Sequence, residues 1–131
     1  MKAFSELLDN LNCTPQRNGR IRLLIDYFKK EQDPNRGWAV AILTGGLELP
    51  NAKASVIRNL ISARTDQKLF ELSYEYVGDL AETVSLLWPN TKTSKTHFNL
   101  ANVVEDLQKA KRETFHELVE NTLDEIASSE R

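Results

Sequence analysis

The sequence predicts an all-α protein, an irregular bundle of about seven to eight short helices, and three observations carry that expectation. Apolar residues recur three and four positions apart along most of the chain, the spacing that gathers them on one helix face. No stretch alternates apolar and polar residues as a half-buried strand does. Proline, glycine and capping residues break the periodic runs into short pieces.

Phe4, Leu7, Leu8 and Leu11 share the first apolar face. Thr14-Pro15 restarts the chain as N-cap and first helical residue, and Ile21, Leu24, Ile25 and Phe28 form the next face, to about Lys30. Asp33-Pro34 ends it. Trp38, Ala41 and Ile42 point inward from a third helix that Gly45-Gly46 stops. Leu49-Pro50-Asn51 leads into a fourth, with Val56, Ile57, Leu60 and Ile61 buried. Asp66 caps a fifth, whose expected face is Leu69, Leu72, Tyr76 and Val77, and Gly78 closes it. Leu80, Val84 and Leu87 line a sixth before Trp88-Pro89. Residues 90–96, with Lys92 and Lys95 among hydroxyls, read as a polar loop. Two more helices follow, from about Leu100 to Lys111 and from a capping box at Thr114-Phe115-His116-Glu117.

Composition bounds the class. The chain has 131 residues, 40% hydrophobic and 27% charged, values of an ordinary single globular domain. No apolar run reaches the ~20 residues of a spanning helix, and Met1 to Glu6 lacks an apolar signal core. A soluble, cytoplasmic protein with no membrane partner is expected. Cys13 is the single cysteine, so no internal disulfide forms, and with only His97 and His116 beside it no metal cluster is expected. The net charge of −2 hides an asymmetry: residues 1–98 carry 13 Lys/Arg against 11 Asp/Glu, residues 99–131 carry 4 against 8. A surface for a polyanion, if present, belongs to the first part.

No phosphate-cradling loop, zinc-protease helix or nucleophile elbow occurs, so no catalytic residue is assigned. His97 and His116 read as incidental, and Glu117, Glu120, Asp124 and Glu125 as a solvated face. The basic residues are more informative. Arg17 and Arg20 fall in the first turns of the Thr14-Pro15 helix, where the macrodipole disfavours cations unless an anion binds there; an ion pair with Glu6 or Asp9 is the alternative. Lys53 stands similarly after Pro50-Asn51. In Tyr74-Glu75-Tyr76-Val77-Gly78-Asp79-Leu80-Ala81-Glu82, Gly78 ends one helix with φ > 0 and Asp79, with Glu82, caps the next. That corner either only packs or offers free N–H groups to a phosphate.

Thr14 to Leu24, Tyr27-Phe28, Arg36 to Ala39, Leu43 to Gly45 and above all Leu72 to Thr83 resemble the N-terminal helical domain of ATP-dependent DNA ligases, of the bacterial cisplatin-damage-response type. The resemblance implies a module that engages nicked or gapped duplex through the backbone and minor groove in repair or replication. The contacts it implies are Arg17, Arg20, Lys53, Arg58 and the corner Gly78-Asp79-Leu80-Ala81, with the N–H groups of Leu80 and Ala81 facing phosphate. ATP and Mg²⁺ would belong to the parent's catalytic domain. The family's Lys-x-Asp-Gly motif is missing, since no Asp-Gly pair occurs, so this chain by itself is expected to be catalytically silent. Leu118 to Arg131 loosely echoes Leu24 to Arg36, which suggests one domain cut short at its C-terminal end. The competing expectation is a helical protein-interaction domain that docks a ligase core or other repair factor, with Trp38, Trp88 and Tyr74 in the docking surface.

Overall fold

Glycine, proline and side-chain caps set where several helices begin and end, and packed rings set which face α2 (Arg17–Lys30) and α5 (Gln67–Val77) turn inward. The protein is described by a computed structural model over residues 1–89 and 98–131, which holds eight α-helices, a short 3-10 turn and, among these residues, no strand. They are α1 (Lys2–Cys13), α2 (Arg17–Lys30), α3 (Asn35–Leu43), α4 (Ala54–Ser62), α5 (Gln67–Val77), α6 (Leu80–Leu87), α7 (Leu100–Lys109) and α8 (Phe115–Glu125), then the turn Ser128–Glu130. The all-α class is as expected. The polar loop at 90–96 and His97 lie outside the described residues. No described helix is long and apolar enough to cross a membrane. The chain divides into two compact units: residues 1–48, 98–108 and Glu130 in one, and 49–89, 109–129 and Arg131 in the other.

In the first unit α1 packs along α2. Phe4, Leu7 and Leu11 are buried with Tyr27, Ala39, Leu100 and Val104, and Leu23, Leu24, Phe28 and Trp38 pack against them. The inward face of α2 is therefore shifted from the one its spacing suggested, and Ile21 and Ile25 are exposed. The cause is Tyr27, whose ring lies 6.0 Å from Phe4 and 5.3 Å from Phe28. Burying an aromatic ring removes more surface from water than either isoleucine could. Thr14-Pro15 does not open α2. Thr14 is extended, as a residue before proline is biased to be, and its N–H donates to Leu11 O at 3.4 Å, closing α1. Gln16 is the N-cap of α2, with no side-chain cap bond. The glycine stop of α3 is as expected, with Gly45 at φ 70° and the Gly46 N–H donating to Ala41 O at 2.8 Å. Asn35 and Asn99 each accept from the Ala101 N–H at 3.0 Å, so the start of α7 is capped from two sides.

In the second unit α4 packs on α6 and α8, and α5 on α6. Ile61, Phe70, Val84 and Trp88 form the core, with Ile57, Leu60, Tyr74, Leu80, Leu87 and Leu123 against it. Here too a ring pair decides the face: Phe70 and Tyr74, one turn apart on α5, stack with centroids at 6.0 Å and planes 5° apart. Leu69, Leu72 and Tyr76, expected inside, are consequently exposed. Asp66 caps α5 as expected, accepting from the Leu69 N–H at 3.0 Å. Asn51 does not cap α4; its amide donates to Ala110 O at 3.0 Å, and the N-cap is Lys53. Thr114 is the N-cap of α8, but its hydroxyl points back to Lys111 O at 3.4 Å instead of bonding the first turn. The Gly78 corner forms as read: Gly78 has φ 77°, its N–H donates to Tyr74 O at 2.8 Å, and Asp79 Oδ1 accepts from the Glu82 N–H at 2.8 Å.

Gly78→Ala should cost about 1–2 kcal/mol from the left-handed backbone alone, because a Cβ there meets nothing within 4 Å. Gly37, exposed inside α3 and equally open, should instead stabilise the protein by up to about 1 kcal/mol on change to Ala. Urea unfolding of the two variants checks the pair, and shifts in the same direction would contradict this account.

The buried Tyr27 hydroxyl has no hydrogen-bond partner among the described residues, and burial, with the Glu31 charge adding, pushes its phenol up to about 12. A folded value above the unfolded ~10 means that the folded state keeps a proton the unfolded state has lost between those values. Stability present below about pH 10 should fall by roughly 2 kcal/mol towards pH 12. Tyr27→Phe should lessen that fall while holding stability at pH 7 within about 1 kcal/mol of the parent. Urea midpoints of both proteins across the alkaline range provide the comparison.

Candidate functional site

The corner at Gly78 folds α6 back along α5, and the inward turn of Phe70 and Tyr74 leaves the opposite side of α5 apolar and uncovered. Tyr76 is 93% exposed, Leu86 68% and Leu72 57%. With Ser73, Val77, Thr83 and Leu87 these three line a shallow groove of about 330 Å³. Helical spacing sets Glu75 beside Leu72 on α5, and Glu82 beside Leu86 on α6. From Gln67 to Leu87 four carboxylates, Glu71, Glu75, Asp79 and Glu82, face one cation, Lys68. The groove is thus lined by apolar and hydroxyl-bearing side chains, with Glu75 and Glu82 one helical turn from Leu72 and Leu86.

A second arrangement holds the unit that carries the groove. The Arg64 guanidinium, just beyond α4, meets Glu120 Oε1 at 2.7 Å and Asp124 Oδ1 and Oδ2 at 2.7 and 2.9 Å, both carboxylates from α8. It also stacks 4.7 Å from the Trp88 ring, whose Nε1 donates to Asp124 Oδ1 at 3.0 Å. Arg131 closes the cluster, donating to Trp88 O at 2.8 Å and Leu123 O at 3.1 Å. The Glu120 hydrogen bond, with Asp124 adding, raises the Arg64 pKa, whereas burial lowers that of Arg131. Glu120 and Asp124, read in the sequence as a solvated face, are therefore structural partners of Arg64.

The residues singled out from the sequence are dispersed. Arg17 and Arg20 belong to the first unit; both are exposed, and neither side chain has a partner among the described residues. Pairing with Glu6 is not formed, Glu6 standing 3.8 Å from Lys2. In the second unit Arg58 lies over the Tyr74 ring at 5.0 Å, and Leu80 packs into the core. Asp79 caps α6, Ala81 is exposed beside it, and the corner presents carboxylates in place of cations. Lys53 borders a separate cleft with Arg112 and His116. The aromatic trio expected in a docking surface is sunk instead: Trp88 is buried, Trp38 and Tyr74 half-buried. Sequence reasoning missed the surface that is exposed. The signal was there, since Leu69, Phe70, Leu72, Tyr74, Tyr76 and Val77 run round α5 and exceed what one face can bury. Among the described residues no group of three or more His, Cys, Asp or Glu could hold a metal.

No protein-family model matches the chain, and no solved structure matches it. It is similar to Protein unc-45 homolog B of Danio rerio, 28% identical over 120 residues that make up 88% of this chain and 13% of that protein. The chain therefore spans about an eighth of this relative. The relative is not a DNA ligase, and this finding corrects the ligase resemblance and the repair, replication and recombination roles attached to it. The residues that carried the resemblance include helix stops and caps, such as Gly45, Gly78 and Asp79, which recur wherever short helices meet.

The Arg64 cluster has a measurable weight. Arg64→Met leaves the half-buried Asp124 and Glu120 without their cation and should destabilise the protein by about 2–3 kcal/mol, below the fully buried case because the pair is partly solvated. Arg64→Lys keeps the charge but loses the fork and the stacking, and should fall between. Chemical unfolding gives the order; a Met variant as stable as the parent would show the cluster to be ornamental.

Proposed function

We propose that this chain is a helical protein-interaction module, catalytically silent, whose α5–α6 groove receives a short amphipathic helix with basic flanks from a partner protein. The observation that carries the reading is the cluster of Leu72, Tyr76 and Leu86, large apolar side chains exposed together beside a groove while neighbouring rings are buried. Singly exposed apolar residues are ordinary, but a contiguous set rimmed by charge is the form of a docking site. Helix-in-groove recognition uses two or three apolar anchors at helical spacing. The carboxylates beside the groove select among such helices: Glu75 and Glu82 favour lysine or arginine on the flanks and repel acidic segments.

Anchors of this size contribute about 1.5–3 kcal/mol each on burial, against an association cost of several kcal/mol, so micromolar or weaker affinity is expected. The test is selection of helical peptides from a displayed library on the intact chain, followed by anisotropy titration. Selected peptides should carry apolar anchors one turn apart among Lys and Arg, and Leu86→Asp should weaken them at least tenfold with unchanged helicity. Peptides that bind Leu86→Asp as well as the parent, or that prove predominantly acidic, would show the groove not to be the docking site.

A further inference from the structure

A different part of the second unit carries a site that the groove does not explain. Between the start of α4 and the chain leading into α8 lies a cleft of about 530 Å³, within the size range of small-molecule sites. Its apolar wall is Val56, Leu60 and Ala63, and its polar wall is Lys53, Arg112 and His116. The two stretches of backbone that bring these cations together are pinned, because the Asn51 amide donates to Ala110 O at 3.0 Å. No side chain caps α4, and Lys53 sits at its N-cap, where the helix dipole disfavours a cation in the absence of an anion. Neither Lys53 nor Arg112 has an ion-pair partner among the described residues. Glu120 is the one carboxylate lining the cleft, and both its close bonds go to Arg64 at 2.7 and 3.2 Å, so it does not neutralise them.

We propose that this cleft binds an organic anion: an apolar body against Val56 and Leu60, and a carboxylate or phosphate head between Lys53 and Arg112, with Asn59 and His116 as further hydrogen-bonding groups. Each component is needed. The cations alone would be a solvated face, and the apolar wall alone a packing defect; together they match a molecule with one charged and one apolar end. The site is independent of the α5–α6 groove.

The test uses four probes that share one six-carbon body: hexanoate, hexyl phosphate, 1-hexanol and hexylamine, titrated into the ¹⁵N-labelled chain. Hexanoate or hexyl phosphate should shift the backbone amides of 54–59 and 112–116 saturably, while the alcohol binds at least tenfold more weakly and the amine leaves those amides unmoved. The stronger of the two anions identifies the head group. Lys53→Gln with Arg112→Gln should reduce anion affinity at least tenfold while the rest of the spectrum stays in place, and Leu86→Asp should leave it unchanged. The proposal is overturned if hexanol or hexylamine binds there as well as the anions, if the anions perturb only other amides, or if the double variant binds them like the parent.

Discussion

The second unit depends on one guanidinium. Arg64 lies where α4 ends, and its guanidinium makes four hydrogen bonds to Glu120 and Asp124 of α8 while its flat face covers Trp88 at the end of α6. Three helices are thereby fixed at a single point by a group whose planar fork leaves little freedom of orientation. The arrangement is partly open to water, which reduces its Coulombic strength but also the desolvation that makes fully buried pairs costly. Trp88 gains from the same point, since its Nε1 donor is satisfied by Asp124 in a core that would otherwise leave it unpaired. With α4, α6 and α8 so tied, α5 packs mainly on α6 and meets α4 through Phe70 and Tyr74, and its surplus apolar residues on the other side stay exposed.

Much of this was legible in the sequence, and the failures share a cause. The number and class of helices, the glycine stops at Gly45 and Gly78, and the caps at Asp66 and Asp79 follow from local chemistry, in which residues close in the chain satisfy one another. The inward faces of α2 and α5 did not follow. Each helix holds more apolar residues than one face needs, and the choice among them falls to rings packing with partners along the chain, Tyr27 with Phe4 and Phe28, and Phe70 with Tyr74. Spacing alone weights Leu69 and Phe70 equally; ring area does not. The cap bonds read at Thr14 and Thr114 do not form for a related reason, because the Thr14 N–H closes α1 on Leu11 O and the Thr114 hydroxyl bonds Lys111 O.

The candidate sites were less legible than the fold. Lys53 was visible as a cation near a helix start, but its meaning depends on Arg112 and His116, more than fifty residues away in the chain, and on the Asn51 bond that brings their backbones together. Glu120 was visible as a surface charge, whereas its engagement by Arg64 is what leaves the cations of the cleft unneutralised. Tyr76 and Leu72 were assigned to the core by a periodicity that is real and serves the exposed face.

The corner at Gly78 shows how one local motif bears on two different readings. A capped helix start offers N–H groups that favour an anion, and from sequence that is the natural emphasis. In the folded chain the Asp79 carboxylate already occupies the first turn of α6, bonded to the Glu82 N–H, and Glu75 and Glu82 add further negative charge near the corner. The dipole of an eight-residue helix corresponds to about half a charge, less than any one of these carboxylates supplies. The field at the corner is therefore set by side chains and not by the backbone, and it attracts cations. Its structural work is to reverse the chain sharply enough that Leu86 on α6 comes beside Leu72 and Tyr76 on α5, so that a local cap-and-stop motif assembles the apolar groove.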